Sequence, residues 1–145
     1  MTTDHTFSTR VVGQTEKALN ALLDRLLAGT GITEPQWVTL TLAATSGEPL
    51  SGDALAEQAA HSLKVDHATA HRRIAELAGH GLLRIGQDGT VEVTERGQAQ
   101  WGEVRAAITR ITGELWGDLP EEDLATAGRV LATVLSRANA LLAAA

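Results

Sequence analysis

The residues best suited to chemistry lie between Lys64 and Leu77, in the string Lys-Val-Asp-His-Ala-Thr-Ala-His-Arg-Arg-Ile-Ala-Glu-Leu. Two imidazoles, His67 and His71, stand four residues apart, and Arg72 and Arg73 follow directly. On a helix, residues three and four apart share a face. His67, Ala68, His71, Arg72 and Ala75 then form one surface, and Ala70, Ile74 and Leu77 form an apolar stripe on the other side. Asp66 suits the N-cap, because its carboxylate can accept the unpaired N–H groups of the first turn. Donors set among small residues near a helix N-terminus fit the major groove of double-stranded DNA. In this reading Arg72 forks onto guanine O6 and N7, Ala68 meets a thymine methyl, and His71 donates to a base or phosphate beside His67. Thr69 and Lys64 are expected to hold phosphates, which fix register. Arg73 points sideways, and either joins them or pairs with Glu76 or Glu57.

The same histidines allow a second chemistry. His67 and His71 could share a metal ion, with His61 and His80 nearby in the sequence. A His-x3-His pair without cysteine or a fixed carboxylate is an incomplete zinc set, and an ion there would compete with DNA. No metal and no cofactor is therefore assigned, and a metal-responsive regulator using histidines stands as an alternative. An enzyme is not expected. The chain lacks cysteine, a glycine-rich loop after a strand, and paired carboxylates in an apolar setting. Asp118, Glu121, Glu122 and Asp123 read instead as charge at a helix N-terminus, where the dipole favours it. Trp37, Trp101 and Trp116 are candidates to line a crevice for a small apolar or aromatic ligand. Core packing is the stronger explanation for Trp37 and Trp101, and Trp116, at the end of its helix, is the freest of the three.

The bulk properties limit what can position these residues. At 145 residues the chain is a single domain or a small domain with a helical extension. It has no cysteine, so disulfides and thiolate sites are excluded. No apolar run reaches the length of a membrane span and the N-terminus does not open as a signal peptide, so a cytoplasmic protein without membrane partners is expected. The net charge of −6 opposes non-specific polyanion binding. The charge is uneven, however. Lys64, Arg72, Arg73 and Arg84 face only Asp66 and Glu76 between Ser62 and Ile85, whereas the stretch from Asp118 to Asp123 is acidic.

Residues 1–8 read as a loose arm. Apolar residues at helical spacing then predict a helix over about 9–28, whose stripe is wide enough to need two partners. Thr33 is a plausible N-cap with Pro35 in the first turn, beginning a helix with Trp37, Leu40 and Ala44 on one face. A third helix is predicted over about 51–63, carrying Leu55, Ala59 and Leu63. The helix that begins after Asp66 follows across a tight turn, which makes a helix-turn-helix. Gly79-His80-Gly81 ends it, since either glycine can take a left-handed C-cap. Leu82–Ile85 and Thr90–Val93 are β-prone, and the Asp88-Gly89 pair between them signals a hairpin. Thr94 then caps a long helix to about Trp116. Its Trp101, Val104, Ile108, Ile111 and Leu115 alternate three and four apart, like a coiled-coil seam. After Gly117–Pro120 a last helix runs over about 121–143. The predicted fold is mainly α with a small β-hairpin: a winged helix-turn-helix lobe over 32–96, an N-terminal arm and dimerisation helix over 1–31, and C-terminal dimerisation helices over 97–145. The apolar surface of the long helices exceeds what one lobe can cover, so a second subunit is expected to bury it.

This order of elements resembles the MarR family of bacterial transcription regulators. The resemblance spans nearly the whole chain and includes four local strings. These are Ile32-Thr33-Glu34-Pro35-Gln36-Trp37, Val65-Asp66-His67-Ala68-Thr69, Leu77-Ala78-Gly79-His80-Gly81-Leu82-Leu83 and Val93-Thr94-Glu95-Arg96-Gly97. It implies a homodimer in which the first and last two helices interleave, while two lobes read a palindromic operator. It further implies a repressor that releases DNA when a small ligand enters a crevice between dimer core and lobe. One departure concerns the wing. Thr90 stands where the family's Asp-x-Arg arginine would enter the minor groove, which leaves Arg84 and Gln87 as the wing-side donors. That departure motivates a second alternative, a dimeric regulator with weakened DNA binding that acts through protein contacts.

Overall fold

The computed structural model describes residues 5–144. It contains six helices and three short strands: α1 (Thr9–Leu27), α2 (Glu34–Ala44), β1 (Leu50–Ser51), α3 (Gly52–Leu63), α4 (His67–Gly79), β2 (Leu83–Ile85), β3 (Thr90–Val93), α5 (Glu95–Trp116) and α6 (Glu121–Ala143). The chain divides into two compact units, up to Ile108 and from Thr109 onward, with the division inside α5. Of the expected N-terminal arm, residues 1–4 lie outside the described residues. Ser8 caps α1 by accepting the Val11 N–H. None of the described helices is long and apolar enough to cross a membrane.

Capping fixes where the helices start. Thr33 and Gln36 form a reciprocal capping box at the start of α2, with proline in the first turn. Ser51 accepts the Ala54 N–H at the head of α3. Thr94 accepts the Gly97 N–H at the head of α5. The core of the first unit gathers Leu27, Ile32, Trp37, Leu40, Leu55, Ala59, Ala70, Ile74, Leu77, Leu82, Val91 and Val104, all nearly inaccessible to solvent. The stripe Ala70, Ile74 and Leu77 is buried, as its spacing predicts. Helix α2 is buried on more sides than its predicted face, since Gln36 and Thr39 are buried too.

The structure extends two sequence expectations. The hairpin is part of a three-stranded antiparallel sheet in the order β1-β3-β2, with Leu50 opposite Val91 and Leu83 opposite Val93. A two-residue strand after Pro49 has no alternation to read, so only its pairing reveals it. The seam along α5 also divides. Trp101, Val104 and Ile108 pack on the core of their own chain, whereas Leu115 is exposed. A three-four repeat marks an apolar stripe without specifying whether the covering surface belongs to the same chain.

In the second unit, no residue of α6 is buried. Val130, Leu131, Val134, Leu135, Leu141 and Leu142 are all exposed there. Glu121, Glu122 and Asp123 occupy the first turn of α6, in keeping with the dipole reading.

Candidate nucleic-acid interface

The turn between α3 and α4 is built from Lys64, Val65 and Asp66. Lys64 takes the left-handed conformation at φ 59°, and the Val65 N–H returns to the Ala60 carbonyl at 3.1 Å. This is the usual way to satisfy the last carbonyls of a helix and reverse the chain, here with a lysine in place of glycine. Asp66 Oδ1 then accepts the Thr69 N–H at 2.7 Å and starts α4. The side chain and backbone of Thr69 together hold the Asp66 carboxyl below the usual carboxylate range, because both hydrogen bonds favour its charged form.

With its stripe anchored in the core, α4 turns His67, Ala68, His71, Arg72 and Ala75 to solvent, the face that the spacing predicts. Two of these side chains are held in place. Arg72 Nη2 donates to Thr69 Oγ1 at 2.9 Å, so the guanidinium and a predicted phosphate contact are joined. His71 Nε2 lies 3.3 Å from Asp53 Oδ1 in the first turn of α3. Asp53 was not among the predicted site residues. Its acidic side chain reads naturally as a helix first-turn charge, and only the packing of α3 beside α4 brings it to His71. The two side chains border an open cleft of ≈ 410 Å³ that is floored by Ile74, Ile85 and Val91.

Arg73 takes the sideways course. Its Nη1 donates to Glu76 Oε1 at 2.8 Å, and the pair is half-buried. The same carboxylate oxygen accepts Gln36 Nε2 from α2 at 2.9 Å. The Gln36 carboxamide, aided by the Arg73 guanidinium, holds the Glu76 carboxyl below its ordinary range. Arg73 is thus engaged within the fold, and the outward face of α4 relies on Arg72 and the histidines.

The wing is a tight hairpin. The Gly86 N–H donates to the Thr90 carbonyl at 2.8 Å, and Gly89 adopts φ +82°, as the Asp-Gly pair predicts. Asp88 Oδ1 accepts the Thr90 N–H at 3.0 Å, which keeps its carboxyl below the usual range. Arg84 stands opposite Glu92 in register and approaches it at 3.5 Å, both largely exposed. Gln87 is exposed at the tip.

The tryptophans separate. Trp37 and Trp101 stack with ring centroids 6.4 Å apart and planes at 18°. Trp101 Nε1 donates to Thr41 Oγ1 at 3.2 Å. Trp37 is buried, whereas Trp116 belongs to the second unit and is 41% exposed. Among the described residues no group of three or more histidine and acidic side chains is arranged to hold a metal ion.

No family model matches the sequence, and no curated protein matches it. Solved structures do match the fold. A MarR family transcriptional regulator from Silicibacter pomeroyi DSS superposes with a TM-score of 0.73 at 22% identity, over 90% of this chain and 88% of the other. A MarR-family transcriptional regulator from Rhodococcus sp. RHA1 superposes with a TM-score of 0.72 at 15% identity, over 90% of this chain and 97% of the other. The fold is MarR-like. CouR from Rhodococcus jostii RHA1, solved with p-coumaroyl-CoA bound, has a TM-score of 0.73 at 15% identity, over 86% of this chain and 88% of its own. In the MarR-like fold α3 and α4 are the helix-turn-helix, and β2 and β3 are the wing.

Proposed function

We propose that this chain is a sequence-specific DNA-binding transcription regulator that acts as a homodimer on a palindromic operator. The observation that carries the reading is the outward face of α4. His67, Ala68, His71 and Arg72 project from a helix whose N-terminus is capped by Asp66 and whose other side is locked in the core. Direct readout needs such a combination, with short donors on a rigid helix and phosphate ligands at its start. Lys64, Thr69, Arg84 and Gln87 are assigned to the backbone, and Arg72 to the base edge. The exposed apolar side chains of α6 support self-association, because monomers rarely leave so much contiguous apolar surface to water. Repression with ligand-controlled release is the regulatory mode proposed. The ligand is a small apolar or aromatic molecule near the Trp37–Trp101 stack. CouR binds p-coumaroyl-CoA, whose acyl end is aromatic although its CoA part is large and charged, and so supports ligand binding by the same fold.

A second reading has a specific observation in its favour. With Thr90 at the wing, a net charge of −6 and Asp53 beside His71, the reading face has few cations. Weak DNA binding with action through protein contacts follows from that. One experiment separates the two. Duplexes selected from a randomised pool, together with DNA flanking the chain's own gene, are titrated with full-length protein at low and moderate salt. Sub-micromolar, sequence-dependent binding is expected. Unchanged anisotropy at micromolar protein at both salt concentrations overturns the DNA reading. Sedimentation of the same sample checks the dimer, and Leu131→Glu with Leu135→Glu should convert it to monomer.

A further inference from the structure

Among the described residues, Gln36 is one of two buried polar side chains in the core of the first unit, at 6% exposure. It lies on α2, away from the reading face, yet every polar atom of its carboxamide is used. Oε1 accepts the Thr33 N–H at 3.0 Å, and Nε2 donates to Glu76 Oε1 at 2.9 Å. The first bond is half of a capping box and is local. The second spans forty positions and fastens the start of α2 to the C-terminal half of α4. A buried carboxamide bound to a carboxylate is a charge-assisted bond with defined direction. The buried stripe Ala70, Ile74 and Leu77 anchors one side of α4, and the Gln36–Glu76 bond adds a directional restraint on rotation about the helix axis.

Rotation matters greatly at the reading face. A group about 6 Å from a helix axis moves about 1 Å when the helix turns by about 10°. Base-edge hydrogen bonds tolerate only a few tenths of an ångström. We propose that Gln36 is a positioning residue for DNA reading, one that sets the rotation of α4 by holding Glu76 and so places Arg72 and His71. The next residue, Trp37, stacks on Trp101 of α5. This inference rests on the DNA-reading function proposed above.

The test uses full-length protein and two fluorescent duplexes, the best sequence from in vitro selection and an unrelated sequence of equal length. In Gln36→Met the side-chain volume is kept and the bond is lost. Its affinity for the selected duplex should fall on the order of tenfold, while that for the unrelated duplex changes little. Glu76→Met breaks the same bond from its half-exposed side and should give the same selective loss, which keeps the comparison available if Gln36→Met does not fold. The exchanged pair Gln36→Glu with Glu76→Gln restores a carboxylate–carboxamide bond with reversed polarity. It leaves an acceptor for the Thr33 N–H and one for Arg73. It should recover most of the ratio between the two duplexes, whereas Gln36→Glu alone should not. A loss of thermal stability with an unchanged ratio would show Gln36 to be structural only and overturn the proposal, as would an exchanged pair no better than Gln36→Glu. If the wild-type protein binds no selected duplex, the DNA reading itself fails, a result plainly different from wild-type binding with indifferent variants.

Discussion

His71 Nε2 lies 3.3 Å from Asp53 Oδ1, which sets a carboxylate from the first turn of α3 against an imidazole on the outward face of α4. The contact is an ion pair only while the imidazole carries its proton. Both side chains are open to water, with Asp53 at 96% side-chain exposure, so the pair itself adds little to stability. Under the proposed function its consequence lies in DNA binding. A phosphate approaching His71 meets the Asp53 charge first, and at about 4 Å in water such a repulsion is about 1 kcal/mol. Asp53→Asn should therefore tighten binding to all duplexes about two- to fivefold. The gain should shrink at high salt, since exposed charges are screened beyond about 10 Å at 0.1 M. Anisotropy titrations at several salt concentrations check this, and equal affinity for wild type and variant at low salt would place Asp53 away from the phosphates.

Lys64 and Arg72 are expected to fail in opposite ways. Arg72 is assigned to a base edge, so Arg72→Ala should remove sequence preference, at about 1–3 kcal/mol for a bidentate contact. Lys64 is assigned to a phosphate, so its loss should weaken every duplex alike and reduce the salt slope by about one. The backbone adds a second signature. At φ 59° a side chain with a Cβ costs about 1–2 kcal/mol. Glycine's larger loss of chain entropy returns about 0.5–1 kcal/mol of that. Lys64→Gly should therefore be as stable as wild type or more so, by up to about 1.5 kcal/mol, while binding DNA more weakly. Thermal denaturation and anisotropy on the same preparation test both signs. Weaker binding together with a large loss of stability would mean that the lysine side chain supports the turn.

Gly97 is held by close approach. A Cβ added there would lie 2.2 Å from the Leu82 carbonyl oxygen and 2.8 Å from Val93 Cγ1. Neither neighbour is free to move. The Leu82 carbonyl accepts the Thr94 N–H at 3.0 Å, and Val93 pairs with Leu83 in the sheet. Gly97→Ala must then push α5 away from the base of the wing, an overpacking cost of about 3 kcal/mol. That corresponds to a fall in melting temperature of roughly 6–12 °C. Circular dichroism melts decide it, and a variant within about 2 °C of wild type would show that the junction can relax.

These relationships indicate how far the sequence could be read. Local chemistry was legible, because the signal lies within a few residues. Thr33, Asp66 and Thr94 cap as their side chains require, Asp88-Gly89 turns the hairpin, and the spacing of Ala70, Ile74 and Leu77 identified the buried side of α4. Contacts between distant segments were not. Asp53 against His71 and Gln36 against Glu76 depend on how three helices pack, and no periodicity encodes that. The stripe from Trp101 to Ile108 was visible, but its partner within the same chain was not. The sideways direction of Arg73 follows from helical spacing, whereas its pairing with Glu76 rather than Glu57 depends on the fold.

Glu34, in the first turn of α2, gives the fold a distinct pH dependence. Its carboxyl is pushed above the ordinary range, first by partial burial and then by the charges of Asp24 and Glu16 on α1. As a first-turn acid it also gains from the helix dipole, about 0.3–1 kcal/mol at an exposed site. The upward direction of the shift means that burial and repulsion outweigh that gain. A carboxyl raised on folding favours the protonated form, so its contribution is present below the ordinary value and is lost as pH rises through the raised one. At neutral pH the ionised Glu34 therefore weakens the fold. Glu34→Gln removes the charge while leaving the Thr33–Gln36 capping box intact. It should raise the melting temperature at pH 7 by about 1–2 °C, and the gain should vanish as the buffer approaches pH 4, where wild-type Glu34 is itself protonated. Melts of both proteins across that range measure the difference directly. A gain that stays constant with pH would assign the effect to packing, and a loss at pH 7 would show that the dipole dominates.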